Sequence, residues 1–288
     1  MNGIERVGVV GCGLMGSGIA EMCARAGLDV IVREIDAAAS ERGRDRLVTS
    51  LDRAVASGKL TEHDRDAAEA GLTFTTDLAD FADRQLVVEA IAEDEGLKTD
   101  VFSMLDKVVE DDDAILASNT SSIPIMKLGI ATQRPEQVLG IHFFNPVPVL
   151  ELVELVPSLM TAEETTDRAD VFATEVLHKR VIRSTDRAGF VVNALLIPYL
   201  LSSIRMLESG FATAQDIDTG MVEGCSHPMG PLRLTDLIGL DTTLAVADSL
   251  YAEFKEPLYA PPPLLSRMVE AGLLGRKTRR GFYEYQQR

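Results

Sequence analysis

The chain has 288 residues, of which 46% are hydrophobic, and its formal net charge is −17. This length suggests one large or two modest domains with a sizeable core, and the negative charge argues strongly against nucleic-acid binding. An anionic ligand needs a local basic patch, because the field of the whole protein repels it.

Secretion, membrane insertion and metal binding also find no support in the sequence. The N-terminus lacks a basic segment followed by a long apolar run, so we expect no signal peptide. No apolar segment is long enough to span a bilayer. The cysteines, Cys12, Cys23 and Cys225, show neither metal-ligand nor paired spacing, which is typical of a reduced cytoplasmic protein.

A glycine-rich loop follows the first predicted strand. The β-branched run at 6–10 indicates a buried parallel strand, and it leads into Gly11-Cys12-Gly13-Leu14-Met15-Gly16. Gly11 allows a tight turn, Gly13 lets the backbone approach a pyrophosphate, and Gly16 packs the next helix against the strand. The start of that helix offers N–H groups to a phosphate. The pattern predicts a dinucleotide site; the alternative is a glycine turn without a cofactor.

The second predicted strand, at 30–32, ends beside acidic residues. Glu34 follows about twenty residues after the glycines, where a carboxylate can bond the ribose hydroxyls of NAD. Asp36 is the second candidate for this role. A carboxylate here repels the 2′-phosphate of NADP, whereas the neighbouring Arg33 could accommodate that phosphate. We therefore predict NAD in preference to NADP.

Two polar helices are predicted at 37–70, with a break near 57–59. This helical arm carries several arginines on an otherwise acidic protein: Arg42, Arg44, Arg46 and Arg53. Such charges are most often a solvated helix face. The alternative is that they bind ligand phosphates, which is the patch that the net charge of the protein requires.

Three predicted strands deliver polar groups to one edge of the sheet. The strand at 86–91 ends near Glu93, with Lys98 one helical turn later. The strand at 114–117 leads into Ser118-Asn119-Thr120-Ser121-Ser122, and the strand at 138–141 leads into His142. Ligands bind at the carboxyl edge of a doubly wound sheet, so we expect these groups to share one crevice.

A further strand is predicted at 149–156 and carries Glu151 and Glu154. A carboxylate that binds one ring nitrogen of His142 leaves the other nitrogen able to take a proton from a substrate hydroxyl. The alternative is a histidine that ends a buried strand beside a glutamate on the neighbouring strand, which is the commoner situation for an isolated pair.

The composition changes near 184–188, and the remainder shows helical patterns without strands. These patterns cover 190–206, 216–221, 235–250 and 264–271. The sequence therefore predicts an α/β protein, with a doubly wound Rossmann-type domain at 1–185 and an all-helical domain at 186–288.

These motifs resemble the L-3-hydroxyacyl-CoA dehydrogenase family, and most closely its short-chain members, the 3-hydroxybutyryl-CoA dehydrogenases. The pair Ser-Asn-Thr-Ser-Ser and His-Phe-Phe-Asn-Pro is highly specific. The matching segments run in the family's order over essentially the whole chain, at 11–16, 87–91, 118–122, 142–148, 189–193, 228–231 and 281–283.

The resemblance implies NAD-dependent interconversion of (S)-3-hydroxybutyryl-CoA, or a close short-chain relative, with acetoacetyl-CoA. It implies that His142 is the general base and acid, that Glu154 orients it, and that Ser121 and Asn193 bind the substrate oxygen. It also implies a helical domain that encloses substrate and forms a homodimer, in a cytoplasmic enzyme of fatty acid metabolism.

The resemblance also implies that several residues, spread along the chain, contact the ribose and nicotinamide region of NAD. This set is Glu93, Lys98, Ser121, Asn145 and Lys277.

The sequence departs from the family pattern at two places. Relatives carry lysines on the helical arm for the CoA phosphates, whereas the expected positions here are poor in lysine. Ser50 lies there and is a substrate-binding candidate, and Arg42, Arg46, Arg53 or Lys59 could replace the lysines. Within 277–281, Arg279 stands where relatives usually have glycine, so we expect a changed backbone.

Two other functions stay open at this point. A dehydrogenase of a free 3-hydroxy acid or sugar acid would share the NAD site and ignore CoA. A non-catalytic NAD-binding protein would bind NADH and reduce no 3-oxo substrate. Acyl-chain length, physiological direction and pathway have no signal in the sequence.

Overall fold

The computed structural model describes residues 3–286. This part of the chain divides into two compact units between Asp186 and Arg187. The first unit is α/β and the second is helical, and each has its own hydrophobic core. The predicted fold class is thereby confirmed. None of the helices described is long and apolar enough to cross a bilayer.

Within the described part of the first unit, eight strands form one sheet. They are β1 (Arg6–Val10), β2 (Asp29–Arg33), β3 (Leu72–Thr75), β4 (Leu86–Glu89), β5 (Ile115–Ser118), β6 (Val138–Phe143), β7 (Leu152–Pro157) and β8 (Arg180–Arg183). Their order is β3-β2-β1-β4-β5-β6-β7-β8. Neighbours are parallel except β6 and β7, which are antiparallel. The order reverses between β1 and β4, where doubly wound sheets bind ligands.

Helices connect most of these strands. They are α1 (Leu14–Arg25), α2 (Ala37–Ala56), α3 (Glu62–Ala70), α4 (Glu95–Val108), α5 (Ile125–Gly129) and α6 (Glu163–Val171). The arm formed by α2 and α3 is broken where predicted. It buries a narrow apolar stripe, including Leu47 and Leu51, in the core of the unit, which is the pattern of an amphipathic surface helix.

The strand predicted at 149–156 is wrong at its start. The N–H groups of Val149 and Leu150 both donate to the Pro146 carbonyl, so these residues form a turn and β7 begins only at Leu152. Glu151 therefore lies outside the strand, and it forms an exposed ion pair with Arg180. The short strands β3 and β8 and the helix α6 were not predicted from the sequence.

The second unit contains α7 (Val192–Glu208), α8 (Ala214–Cys225), α9 (Pro231–Ile238), α10 (Leu240–Phe254) and α11 (Pro263–Glu270). The single helix predicted at 235–250 is wrong, because Gly239 separates α9 from α10 with φ +105°. This left-handed backbone suits glycine and interrupts a helix. Periodicity alone does not reveal the break, since apolar residues continue on both sides.

A buried carboxylate, Asp218 of α8, holds the start of α9. It accepts hydrogen bonds from the N–H groups of Leu232 and Arg233 at 2.8 and 3.1 Å. It also accepts one from the Tyr283 hydroxyl at 2.8 Å. The carboxylate thus satisfies N–H groups that the first turn of a helix leaves without partners, and it ties the C-terminal segment to that helix.

A second buried carboxylate, Asp236 of α9, fixes the same C-terminal segment. It accepts hydrogen bonds from the N–H groups of Phe282 and Tyr283 at 2.9 and 3.0 Å and from the Tyr285 hydroxyl at 2.8 Å. A Cβ at Gly281 would overlap the Asp236 carboxylate, so only glycine permits this approach.

Candidate active site

His142 and Glu154 face each other across the antiparallel pair β6 and β7, as direct partners in the register. The turn at 146–150 returns the chain and produces this pairing. His142 Nδ1 lies 2.7 Å from Glu154 Oε2, and both side chains are buried. In the tautomer that carries its proton on Nδ1, the ring donates to Glu154 and presents the Nε2 lone pair on its other side.

Ser121 completes the arrangement from the loop after β5. Its hydroxyl lies 3.0 Å from His142 Nε2, and the Phe144 ring packs against the imidazole with 4.6 Å between ring centroids. Serine, imidazole and carboxylate thus form a chain in which a proton can be exchanged at Nε2. The same order of groups occurs in nucleophilic triads. These three residues alone therefore do not distinguish proton transfer from nucleophilic catalysis, and other features of the protein are needed.

Glu93 anchors the loop that carries Ser121. Its Oε1 accepts hydrogen bonds from the Thr120 hydroxyl at 2.5 Å, the Ser121 N–H at 2.9 Å and the Ser122 hydroxyl at 3.3 Å. Burial alone would raise the pKa of Glu93, but the charge of Lys98 and the donors in the loop lower it below its usual value. The carboxylate therefore stays ionised and holds the loop.

Lys98 is fully buried, and its Nζ lies 2.6 Å from Glu89 Oε1 and 3.3 Å from Glu93 Oε2. Glu89 also accepts a hydrogen bond from the Ser118 hydroxyl at 2.6 Å. Glu89 was not singled out from the sequence. An acidic residue within a buried apolar strand is a usable signal, since glutamate is almost never fully buried without a partner.

The turn after β6 is held by a second buried lysine. Lys179 donates to the carbonyls of Val147 and Leu150 at 2.6 and 2.7 Å, and burial lowers its pKa. Asn145 lies exposed at the start of this turn, and its peptide bond to Pro146 is cis. Lys179 was also missed, because a lysine that binds distant carbonyls carries no sequence signal.

The glycine loop has the geometry that its sequence predicts. Gly11 adopts φ +90°, and a Cβ at Gly16 would overlap the Gly11 carbonyl oxygen. At Gly13, in contrast, no heavy atom of the described residues outside 12–14 lies within 4 Å of the position of a Cβ. The loop therefore packs tightly against its own strand and helix at Gly11 and Gly16, and it is open at Gly13, where a pyrophosphate can approach.

The two ribose candidates differ in their contacts. Asp36 accepts a hydrogen bond from the Ala39 N–H at 2.7 Å and caps α2, which gives it a structural role. Glu34 lies after β2, and its Oε1 accepts the Cys12 N–H at 2.6 Å. Glu34 is thus fixed beside the glycine loop. The open loop, the N-terminus of α1 and this carboxylate together fit a dinucleotide.

Comparison with known proteins identifies the family. The family model for the NAD-binding domain of 3-hydroxyacyl-CoA dehydrogenase matches residues 6–187, and the model for the C-terminal domain of the same enzyme matches residues 189–285. The chain belongs to the 3-hydroxyacyl-CoA dehydrogenase family. The predicted family and the predicted NAD cofactor are confirmed.

Similar proteins cover nearly the whole chain. The 3-hydroxybutyryl-CoA dehydrogenase of Mycobacterium tuberculosis is 63% identical over 282 residues, which are 98% of this chain and 99% of that protein. The crystal structure of (S)-3-hydroxybutyryl-CoA dehydrogenase from Ralstonia eutropha has a TM-score of 0.92 and 44% identity, and it covers 99% of this chain and 100% of that chain. The mitochondrial hydroxyacyl-coenzyme A dehydrogenase of Rattus norvegicus is 40% identical, over 98% of this chain and 91% of that protein.

The other predicted site residues lie on separate elements. Ser50 is half-buried on α2, and Asn193 is half-buried at the start of α7 in the second unit. Lys277 is also in the second unit, where its Nζ lies 2.5 Å from Asp241 Oδ2. Arg279 adopts φ +63°, a left-handed backbone conformation that favours glycine.

Proposed function

We propose that this protein is an NAD-dependent 3-hydroxybutyryl-CoA dehydrogenase. It interconverts (S)-3-hydroxybutyryl-CoA, or a close short-chain relative, with acetoacetyl-CoA. The observation that carries this proposal is the arrangement of Ser121, His142 and Glu154, with 3.0 Å between Ser121 Oγ and His142 Nε2 and 2.7 Å between His142 Nδ1 and Glu154 Oε2. It occurs in a chain that contains an NAD-binding domain.

Oxidation of a secondary alcohol removes a proton from its oxygen and a hydride from its carbon, and bound NAD supplies the acceptor for the hydride. His142 takes the proton at Nε2. Glu154 accepts the hydrogen bond from Nδ1, fixes the tautomer, and stabilises the imidazolium that forms. Ser121, next to Nε2, donates a hydrogen bond to the substrate oxygen and positions it, and Asn193 is the second polar group of this kind.

In the reverse reaction the imidazolium of His142 and the hydroxyl of Ser121 stabilise the negative charge that develops on the substrate oxygen, and the imidazolium then returns the proton. Glu93, Lys98 and Glu89 act indirectly, because they hold the loop that positions Ser121. This support matters, since a small displacement of a reacting group costs a large factor in rate.

We assign the remaining positions from the family resemblance. NAD contacts Gly11, Gly13, Leu14, Met15, Gly16, Glu34, Glu93, Ser121, Asn145 and Lys277, whereas the buried Lys98 acts on the cofactor site through Glu93. The substrate contacts Ser121, Asn193 and Ser50. The protein acts as a cytoplasmic homodimer in fatty acid metabolism. It does not bind nucleic acid, because its net charge of −17 repels an anionic partner.

The test is the oxidation of NADH, followed by absorbance, with acetoacetyl-CoA and, in parallel, with free acetoacetate. NADPH replaces NADH in a third series. We expect turnover with the thioester and NADH, and little with the free acid or NADPH. Turnover of free acetoacetate alone would move the assignment to a free-acid dehydrogenase, and bound NADH without any turnover would move it to a non-catalytic protein.

A thiol reagent in the same assay tests the alternative chemistry of a serine, histidine and carboxylate chain. Release of free CoA at a rate comparable with NADH oxidation would indicate thioester hydrolysis through Ser121. We expect no such release, because the proposed role of Ser121 is to bind the substrate oxygen.

A further inference from the structure

One residue of the glycine loop is held by opposite charges on its two peptide groups. The N–H of Cys12 donates to Glu34 Oε1 at 2.6 Å, and the carbonyl of Cys12 accepts a hydrogen bond from Arg46 Nη1, also at 2.6 Å. Glu34 follows β2 and Arg46 lies on α2. Both charges therefore reach the loop from outside it and meet at the same residue.

Close packing of α2 on the loop places Arg46 there. Gly43 of α2 is buried, and a Cβ at this position would lie 2.7 Å from Cys12 Cβ and Sγ. Arg46 follows Gly43 by three residues, so both lie on the same face of the helix. The pKa of the Cys12 thiol is raised to about 12, mainly by burial and also by the charge of Glu34, while Arg46 opposes the rise, as expected when both charges lie near the thiol.

The guanidinium of Arg46 retains donors for a ligand. It is exposed, and among residues 3–286 the Cys12 carbonyl is the one acceptor that it engages. A guanidinium has five N–H donors and matches phosphate oxygens in pairs. Arg44 differs, because its guanidinium lies over the Phe74 ring, 5.7 Å from the centroid. Arg33 donates through its Nε to the Thr76 carbonyl, which follows β3 and is not part of the glycine loop.

We propose that Arg46 determines cofactor specificity together with Glu34: Arg46 is a latent ligand for the 2′-phosphate of the cofactor's adenosine ribose, and Glu34 keeps that phosphate out. The inference rests on the dinucleotide site of the proposed function. A carboxylate bonds the ribose hydroxyls of NAD and repels a 2′-phosphate, whereas a nearby arginine binds it. In this protein both groups are already fixed on Cys12, and the carboxylate prevails in the wild type.

The test compares two ligands that differ only in the phosphate, ADP-ribose and 2′-phospho-ADP-ribose, by isothermal titration calorimetry. Neither carries a nicotinamide, so turnover does not enter the measurement. Wild type should bind ADP-ribose more tightly. Glu34→Gln keeps an acceptor for the Cys12 N–H and removes the charge. It should tighten binding of 2′-phospho-ADP-ribose about tenfold, which corresponds to about 1.4 kcal/mol.

Arg46→Met in the Glu34→Gln background should remove most of this gain, so the affinity for 2′-phospho-ADP-ribose should fall several times more than that for ADP-ribose, which loses only the brace on Cys12. The matched control is Arg44→Met in the same background, which should leave both affinities unchanged. Arg46→Lys is a second variant for the case in which the Met variant does not fold. It should retain part of the gain, since it keeps a charge but loses the paired donors.

Two results would overturn the inference. Equal weakening of both ligands by Arg46→Met would show that Arg46 only braces the loop. A loss of affinity for acetoacetyl-CoA with unchanged affinity for 2′-phospho-ADP-ribose would assign Arg46 to the substrate. A protein that binds these ligands as expected and yet turns over no acetoacetyl-CoA would refute the proposed enzyme and leave the inference intact.

Discussion

In the first unit the buried carboxylates Glu89 and Glu154 face an ammonium and an imidazole, whereas in the second unit Asp218 and Asp236 face backbone N–H groups and tyrosine hydroxyls. All four are almost completely buried, with relative exposures of 0%, 0%, 3% and 1%. Burial of an acid therefore does not distinguish a reactive site from a structural contact. The partner of the acid does.

The partner of Glu154 differs from those of the other three carboxylates in its ordinary pKa. Backbone N–H groups do not titrate, and a phenol or an ammonium ordinarily does so near pH 10. An imidazole gains and loses a proton near neutral pH. This is the property that the proposed role of His142 as base and acid requires.

The strongest test of this contrast is His142→Ala. Because the variant lacks the base, kcat should fall by about 10³-fold, near 4 kcal/mol in the activation free energy, while NADH binding persists. The measurement is steady-state kinetics with acetoacetyl-CoA together with a fluorescence titration of NADH. His63→Ala is the control, since His63 is exposed on α3. A near-native kcat in His142→Ala would refute the assignment of the base.

Removing a buried carboxylate of the second unit should lower stability and leave the catalytic pH dependence unchanged. Asp218→Ala leaves two N–H groups of α9 and the Tyr283 hydroxyl without their acceptor, so the free energy of unfolding should fall by about 3 kcal/mol. The pH profile of kcat should keep its shape. Urea denaturation measures the change in stability, and steady-state kinetics measures the pH profile. Glu223→Ala, at an exposed residue of the same helix, is the control. A displaced profile would break the comparison between the units.

Sequence alone indicates much of the candidate catalytic pair, His142 and Glu154. His142 follows an apolar run, Glu154 lies on the next strand, and a turn rich in proline joins them. The antiparallel register then makes them direct partners. The sequence does not specify where β7 begins or that Gly239 separates two helices, because strand ends and helix breaks depend on tertiary contacts as well as on periodicity.

Long side chains are the hardest to place from sequence. Lys98 follows a strand that ends at the site edge, and the sequence suggests a cofactor contact. In the structure its ammonium lies between Glu89 and Glu93. Lys179 binds carbonyls 29 and 32 residues away. The end of a flexible side chain is determined by acceptors that only the folded chain brings near. Asn193 and Lys277, on the second unit, remain predictions.

Glu93 sharpens the comparison because it combines both kinds of partner, a lysine and the donors of the Ser121 loop. Because its relative side-chain exposure is 36%, its substitution should reduce both activity and stability, each by less than the two preceding variants do. Glu93→Gln should lower kcat about tenfold by loosening that loop. Steady-state kinetics measures this effect, and an unchanged kcat would show that the loop does not depend on the carboxylate.

The same variant should also change acid stability. The pKa of Glu93 is lowered from its ordinary 4.5 in the folded protein, so its ionised form adds stability above that value, and this stability is lost as the pH falls through the folded pKa. Glu93→Gln should therefore show a shallower decline in unfolding midpoint between about pH 6 and pH 3. An equally steep decline in both proteins would assign the acid sensitivity to other carboxylates.

The smallest effect is expected at Tyr285, whose hydroxyl donates to Asp236 at 2.8 Å. Its pKa is raised from 10.0 to about 12, first by burial and then by the hydrogen bond to Asp236 and the charge of that carboxylate, while Arg276 opposes the rise. A phenol with a raised pKa adds stability that is present below the unfolded pKa and is lost as pH rises through the folded value.

In Tyr285→Phe, stability at neutral pH should fall by about 1 kcal/mol for one lost hydrogen bond, and the decline of stability between about pH 10 and pH 12 should become shallower. Urea denaturation across that range measures both effects. An unchanged decline would mean that this contact does not depend on the phenolic proton; a loss of activity at neutral pH with unchanged stability would show that the second unit, too, uses a buried acid for catalysis.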